Sequence, residues 1–467
     1  PFREESGFAH CSLIPAAVSL LCGLLLQLRA KRFPARRAAG RQQAVTTVIF
    51  FWLLMMLIGA LPFLLGRQLD FIPALFESVS GWTTTGFTVM PDIDHTPHIF
   101  LFYRAFMQFV GGLGFVLLLL LFSGGRGAMG LFSAEGHSDM LEPNLVSTAR
   151  ATMYLYLGMV LGGAGLYVLF GMPWFDAINH SMSALGTGGF SPRSENIGYY
   201  ESIPIEVVSI VLMLLGATNF AALALMVKGK LRKFLRLGEI RFFLVFLAAI
   251  VVLLAFLGLR GVYAGFGKSL RDSVFLAVSA VTTTGYSINT VDHWSPAMLF
   301  LIFVLMFIGG ASGSTAGGIK YSRVYVLCKS FAVNLAGKFR PERSVSLLTV
   351  YGVHGKTRVS DAQLTQHQRV ALIYLATFFL GAFLLTLDGM SLQDAVFDFA
   401  SALGTIGLSS GRTGPQSDHY VLLVQIVGMI LARMEVYVVY VFGAAGAQWL
   451  FAAVRRAVRR RVGAEAT

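Results

Sequence analysis

Charge is scarce in this sequence. Asp, Glu, Lys and Arg make up 13% of its 467 residues, about half the share usual in soluble domains, and that deficit excludes an ordinary water-soluble enzyme. Cysteine is scarcer still. Cys11, Cys22 and Cys328 form an odd set without a C-x-x-C pair, so neither a disulfide framework nor a cysteine-bound zinc site is written here. The nine histidines are scattered and lack an H-E-x-x-H spacing, which leaves no transition-metal centre and no organic cofactor to expect. Acids are outnumbered, 24 Asp plus Glu against 37 Lys plus Arg, for a formal net charge of +13. That excess could point to nucleic acid, but it sits in short loops between apolar runs, where topogenic charge accounts for it and no nucleic-acid partner is expected.

What the sequence has instead is 55% hydrophobic residues. Apolar segments long enough to cross about 30 Å of hydrocarbon at about 1.5 Å per residue lie near 11–28, 45–65, 99–122, 151–170, 204–227, 242–259, 296–327, 369–386 and 420–450. These predict a multi-pass α-helical membrane protein with nine crossings. The first polar loop holds Arg29, Lys31, Arg32, Arg36, Arg37 and Arg41, and later loops hold Lys228, Lys230, Arg232, Lys233 and Arg236, then Lys320, Arg323, Lys329, Lys338 and Arg340. The positive-inside rule makes these loops cytoplasmic. The run Arg455, Arg456, Arg459, Arg460 and Arg461 puts the C-terminus on the same side, an even number of crossings away. Nine crossings then leave Pro1 outside, so a further N-terminal helix is expected ahead of this chain; a natural initiator codon just before Pro1 would overturn that.

Between alternate crossings lie stretches too polar for lipid and too apolar for water, and they repeat. Read from a common glycine, they are Ser80-Gly81-Trp82-Thr83-Thr84-Thr85-Gly86-Phe87, Ser183-Ala184-Leu185-Gly186-Thr187-Gly188-Gly189-Phe190, Ser279-Ala280-Val281-Thr282-Thr283-Thr284-Gly285-Tyr286 and Ser401-Ala402-Leu403-Gly404-Thr405-Ile406-Gly407-Leu408. Each has Ser six before the glycine, a small residue five before, Thr two before and a large apolar residue one after. Asp176, Asp272 and Asp394 stand thirteen before their glycines, where the first copy has Pro73; these acids are expected to cap the start of a short helix. Each copy lies between two crossings, which predicts four tandem units of helix, re-entrant hairpin and helix, with the first apolar segment outside the count.

A short helix that stops halfway across the bilayer aims its last carbonyls and its negative dipole end at the midplane, where they attract cations. Irregular backbone survives at that depth only inside protein or beside a watery cavity, so the four turns are expected to converge on one axis. Their carbonyls could then replace the hydration shell of an ion. The glycines permit backbone conformations closed to other residues and keep side chains out of a narrow passage. The competing reading is that they only allow close helix packing.

At these residues the sequence resembles the Trk/Ktr/HKT superfamily of potassium transporters, most closely the bacterial Trk branch. The resemblance also covers Leu101-Phe102-Tyr103-Arg104, Gln108 and Gly111-Gly112, and most specifically 309–320, which reads Gly309-Gly310-Ala311-Ser312-Gly313-Ser314-Thr315-Ala316-Gly317-Gly318-Ile319-Lys320. It implies a pseudo-fourfold pore in each subunit of a homodimer, in the bacterial cytoplasmic (inner) membrane, with a cytosolic nucleotide-binding regulatory subunit of the TrkA type. Potassium would be the transported ion. The implied filter comprises Thr84, Thr85, Gly86, Thr187, Gly188, Gly189, Thr283, Thr284, Gly285, Thr405, Ile406 and Gly407. Glycine at all four filter positions implies potassium selectivity, whereas sodium-favouring plant relatives carry Ser at the first.

On their own terms, residues 309–320 cannot hold a regular helix at the middle of a crossing, since each Gly loses about 1 kcal/mol relative to Ala. A break is expected, and by resemblance a gating loop involving Gly309, Gly310, Gly313, Ser314, Thr315, Gly317, Gly318 and Lys320. A kinked helix is the alternative; a phosphate-binding loop fits poorly, because Tyr321 follows Lys320. Arg433 falls in the apolar run 420–450, where an unpaired charge costs about 2.5–3.5 kcal/mol. The resemblance makes Arg433, with Glu435, a barrier beside the pore, although Ala432-Arg433-Met434-Glu435 departs from the usual Gly-Arg-Leu-Glu. The other possibility is that Arg433 and Glu435 simply pair with each other.

The expected divisions are 1–41 (extra N-terminal helix and basic loop), 42–148, 149–238 and 239–365 (pore repeats one to three, the third with the broken second helix), and 366–467 (repeat four and basic C-terminus). Asp92, Asp94, Glu195, Glu201 and Asp418 lie on the outer side, as cation-concentrating groups or as a solvated rim. Segments 123–150 and 328–368 are the expected docking loops for the regulatory subunit. Potassium uptake is the function expected. A sodium-permeable or nonselective cation channel is the alternative within transport, and an intramembrane enzyme the alternative outside it, although the repeat holds none of the convergent acids or nucleophiles an enzyme needs.

Overall fold

The computed structural model describes residues 5–32, 41–114, 144–260, 262–263, 265–289, 294–339, 347–352, 355–436, 439–440 and 443. Pro1, Arg36 and Arg37, residues 123–143 of the first expected docking loop, and the run from Arg455 to Arg461 lie outside them. The described chain is predominantly α-helical, because a helix satisfies its own backbone donors and acceptors and needs no water to do so. Two small two-stranded sheets are the described exceptions.

Helix α1 (Ala9–Arg32) is apolar and packs along α2 (Arg41–Leu65). A pattern of long helix, short helix, extended return and second helix then begins. It comprises α2, α3 (Phe71–Trp82) and α4 (His98–Leu113); then α5 (Leu145–Leu169), α6 (Trp174–Leu185) and α7 (Ile203–Gly216), the last continued as α8 (Phe220–Val227). Next come α9 (Gly238–Leu259), α10 (Phe266–Val281) and α11 (Pro296–Met306), followed after a loop by α12 (Tyr321–Gly337). Last are α13 (Asp361–Thr386), α14 (Leu392–Gly404) and α15 (His419–Arg433).

Five helices among the described residues are long and apolar enough to cross a membrane unaided: Ala9–Arg29, Val45–Leu65, Val146–Leu169, Gly238–Leu259 and Asp361–Thr386. They are α1 and the four long helices. The remaining predicted crossings are all second helices, and a break was expected in only one of them. That expectation needs correcting. α4 stops at Leu113, with Gly114 at φ 88°; residues 115–122 lie outside the described part. α7 and α8 meet at an angle of 117°, because the side chain of Asn219 caps α8 by accepting from the N–H groups of Ala221 (2.7 Å) and Ala222 (3.3 Å). α15 ends at Arg433, and Glu435 has φ 53°. Hydropathy measures composition and cannot see these interruptions.

Each long helix packs on the short helix that follows it: α2 on α3, α5 on α6, α9 on α10 and α13 on α14. Each second helix packs on the short helix of the next unit: α4 on α6, α7 on α10, α11 on α14, and α15 back on α3. The last contact closes the circle. Leu422, Ile426 and Met429 of α15 share one apolar core with Phe76 and Val79 of α3. The C-terminal halves of all four short helices are thereby buried in protein, which is what permits their ends to be irregular at membrane depth.

Candidate functional site

The short helices all end in the same way. The N–H of the residue before each common glycine returns to the carbonyl of the Ser six before it: Thr85 to Ser80 (2.9 Å), Gly188 to Ser183 (2.9 Å), Thr284 to Ser279 (3.0 Å) and Ile406 to Ser401 (2.9 Å). One residue earlier, Thr84, Thr187, Thr283 and Thr405 bond to the carbonyls of Gly81, Ala184, Ala280 and Ala402 at 3.1–3.2 Å. This pair of bonds is the Schellman termination, whose pivot residue is left-handed and usually Gly. Here it is Thr in every copy, with φ of 57°, 50°, 55° and 52°. A β-branched residue in that region stores about 1–3 kcal/mol and persists only where its surroundings hold it. All four threonines are fully buried.

Gly86, Gly189, Gly285 and Gly407 follow, with φ of 93°, 80°, 76° and 86°. Side chains are barred from these positions for a second reason. A Cβ on Gly86 would overlap the carbonyl oxygen of Gly188, on Gly189 that of Thr284, on Gly285 that of Ile406, and on Gly407 that of Thr85. Each glycine thus faces the carbonyl just before the next unit's glycine, and the fourth faces that of the first. The four turns form a closed ring, and all four glycines line one vestibule of about 560 Å³.

Behind the ring, buried side chains tie each helix to its returning strand. The hydroxyl of Ser80 donates to the carbonyl of Phe87 (2.6 Å) and that of Ser279 to Tyr286 (2.7 Å). Glu77 accepts from Thr88 Oγ1 (3.0 Å), the N–H of Val89 (2.9 Å) and Arg104 Nε (2.7 Å). Asp398 accepts from the N–H of Ser410 (2.7 Å) and from Thr413 Oγ1 (2.6 Å). Asp176 and Asp272 do the same from another place, bonding Arg193 Nε (2.9 Å) with Tyr200 Oη (2.7 Å), and Asn289 Nδ2 (2.7 Å).

The capping role expected of these aspartates is therefore wrong for two of them. α10 begins at Phe266, so Asp272 lies in its second turn; Asp176 does stand in the first turn of α6, as expected, but its carboxylate turns toward the return strand and not to the helix start. Only Asp394 joins a cap, with Ser391 accepting from its N–H (3.1 Å). Glu77 and Asp398 were overlooked, although both stand nine before their glycine and a carboxylate in an apolar helix signals a buried partner.

Beneath the ring, α11 ends at Met306 and the chain leaves the helix as expected. β1 (Ile308–Gly309) pairs in parallel with β2 (Ile319–Lys320), closing a loop over 310–318. Gly313 and Gly318 have φ of 73° and 64°. The loop touches the threonines directly: Thr315 Oγ1 lies 3.1 Å from Thr187 Oγ1, and the N–H of Gly317 donates to Thr283 Oγ1 (3.0 Å). Ser314 Oγ donates to the Ala311 carbonyl (2.7 Å), and Lys320 Nζ to that of Ala316. The loop is also tied to the break in repeat two, through the N–H of Ala311 to Ala217 O (2.9 Å), Thr315 Oγ1 to Gly216 O (2.9 Å) and Asn219 Nδ2 to Ser312 O (2.6 Å).

Arg433 reaches across from α15. It donates to the carbonyls of Thr315 (3.0 Å) and Gly111, linking the loop to α4. Glu435 does not pair with it; Glu435 accepts from Arg323 (2.7 Å). These three residues and Lys320, with Gly313 and Gly317 of the loop, line a cavity below the ring. Of the five outer acids, Glu195 and Glu201 line the vestibule. Asp92 instead accepts from His95, side chain and backbone, which holds its carboxyl below the usual range.

The TrkH family profile, described as a cation transport protein, matches residues 18–448. The Trk system potassium uptake protein TrkH of Halomonas elongata is 33% identical over 405 residues, covering 82% of this chain and 81% of the relative. The Trk system potassium uptake protein TrkG of Escherichia coli is likewise 33% identical, over 82% of this chain and 81% of that protein. The crystal structure of the potassium transporter TrkH from Vibrio parahaemolyticus superposes with a TM-score of 0.81 at 28% identity, covering 93% of this chain and 91% of that one.

Proposed function

Because this chain belongs to the TrkH family of cation transport proteins, integral membrane transporters and not enzymes, we propose that it takes up potassium through the glycine ring. The observation that carries this reading is the cyclic contact of the four filter glycines with the carbonyls of Thr85, Gly188, Thr284 and Ile406. A ring of backbone oxygens with no side chain between them replaces the hydration shell of an ion at small cost in rearrangement. Filter contacts are assigned to the Thr-x-Gly segments at Thr84–Gly86, Thr187–Gly189, Thr283–Gly285 and Thr405–Gly407.

The loop at 309–320 is the gate and Arg433 its latch. Two observations support this: the loop fills the space under the threonines, and one guanidinium holds both the loop and α4. A fixed positive charge there also opposes cations on their way out. Opening would require the loop to leave Thr283 and Arg433 together. A cytosolic nucleotide-binding subunit of the TrkA type would supply that force, docked on the segments 123–150 and 328–368 of a homodimer in the bacterial inner membrane. The C-terminus is cytoplasmic in this reading, and the units are 42–148, 149–238, 239–365 and 366–467, with 1–41 outside them.

The test is growth at low potassium in cells lacking their own uptake systems. The intact chain is expected to rescue growth, Gly86→Ser to shift cation preference toward sodium, and a deletion within 310–318 to leak. No rescue by a chain shown to reach the membrane would overturn the assignment.

A further inference from the structure

At the filter, repeat two departs from repeats one and three through a single residue, while in repeat four the Ser401 hydroxyl is buried without a hydrogen-bond partner among the described residues. In repeats one and three the Ser six before the glycine donates its hydroxyl to the carbonyl one after the glycine. In repeat two the Ser183 hydroxyl donates to Gln108 Oε1 (2.6 Å), a residue of α4 in the preceding unit. The same oxygen accepts from the N–H of Phe190 (3.1 Å), and Gln108 Nε2 donates to the carbonyl of Gly188 (2.6 Å). Gln108 is fully buried.

The backbone fixes which end of the amide is which. The N–H of Phe190 can only donate and the carbonyl of Gly188 can only accept, so a flipped amide would set donor against donor and acceptor against acceptor. The fit is reciprocal. Repeat two carries Gly188 where the others carry Thr85, Thr284 and Ile406, and a Cβ at 188 would run into the Gln108 side chain.

Gly188 is also the residue whose carbonyl faces Gly86 in the ring. One of the four ring oxygens is therefore already engaged by a protein amide, and its direction is set from a neighbouring repeat. Building on the filter reading above, we propose that Gln108 is a specificity-determining positioning residue. It fixes the Gly188 carbonyl, keeps the ring from contracting around a smaller ion, and makes the filter asymmetric at repeat two. An amide bonded on one lone pair resists being drawn toward the axis, and a ring that cannot contract disfavours sodium, whose shell is tighter.

The experiment compares intact chain, Gln108→Glu and Gln108→Leu in proteoliposomes, reading the sodium-to-potassium permeability ratio separately from the potassium flux. Gln108→Glu, assayed at a pH high enough to keep the carboxyl ionised, keeps the side chain's volume and the acceptors for Ser183 and Phe190 but loses the donor to Gly188. Both variants are expected to raise the ratio about threefold to tenfold, the range one amide–carbonyl hydrogen bond supports. An unchanged ratio, with flux either kept or reduced equally for both ions, would overturn the proposal. Gly188→Ala and the double variant Gln108→Ala with Gly188→Ala read the same contact from the other side. The double variant is expected to carry more potassium than Gly188→Ala alone, and an equal or greater loss would count against the fit. Should the intact chain show no potassium selectivity in these vesicles, the filter reading itself has failed; selective intact chain with indifferent variants sinks only the role of Gln108.

Discussion

Replacing Glu77 by Gln should destabilise this protein far more than neutralising any other paired acid of similar geometry. Glu77 and Arg104 are 2.7 Å apart at 0% and 1% side-chain exposure. The carboxylate also holds Thr88 and the N–H of Val89, so a neutral amide can satisfy one side and must turn its NH₂ toward donors on the other. Breaking a buried pair costs about 3–5 kcal/mol, since a charge is left without compensation. Arg104 retains the Ser191 carbonyl (3.3 Å) and stacks 4.1 Å from the Phe190 ring centroid, which places the expected loss at the low end, about 3 kcal/mol. The matched control is Glu206→Gln, whose carboxylate is 5% exposed but whose Arg271 is 37% exposed and can return to water, so the loss should be smaller, about 1.5 kcal/mol. Thermal unfolding of both variants in one detergent is the assay. The reasoning also requires Glu77→Gln to blur potassium selectivity, because Arg104 anchors the strand after Gly189 by way of Ser191. Equal midpoints for the two variants would refute it.

Gly285→Ala should reduce uptake by about tenfold or more, because its φ of 76° and the Ile406 carbonyl both oppose a Cβ; that loss is about 1.4 kcal/mol or above. Gly158→Ala, on open space in α5, should leave uptake unchanged and raise stability by about 0.5–1 kcal/mol. Arg433→Ala should increase potassium flux in reconstituted vesicles; unchanged flux from a folded variant would remove Arg433 from the gate. Asn219→Ala deletes a cap and the bond to Ser312, so it should cost about 1 kcal/mol and raise basal leak, which a tight baseline would contradict.

The glycine ring was legible because its determinants are local. Ser80, Thr84 and Gly86 serve one helix ending, and a termination that needs a fixed residue at each offset leaves the same trace in all four copies. The break at 309–320 was legible for a related reason, since five glycines among twelve residues announce it. The bend at Asn219 was hidden, because both flanks are apolar and one Asn is a weak mark of a helix start; besides its local cap on Ala221 and Ala222, its amide meets Ser312 of a loop far along the chain. The aspartates misled for want of a helix start: Asp272 reads as a cap only if α10 begins near it, and Ser269 and Phe266 had no mark to say otherwise. Glu77 was passed over because its partner Arg104 belongs to a different helix, and spacing along the chain says nothing of which helices meet. The mutual pairing of Arg433 and Glu435 failed because residues two apart do not face each other on a helix: Arg433 reaches the carbonyls of Thr315 and Gly111, and Glu435, past the helix end, meets Arg323.

The most direct test is a crystal of the protein soaked in rubidium and read by anomalous scattering. The account predicts a peak on the central line between Gly86, Gly189, Gly285 and Gly407, bounded by the oxygens of Thr85, Gly188, Thr284 and Ile406. Rubidium confined to the outer acids, with the ring empty at saturating concentration, would contradict it.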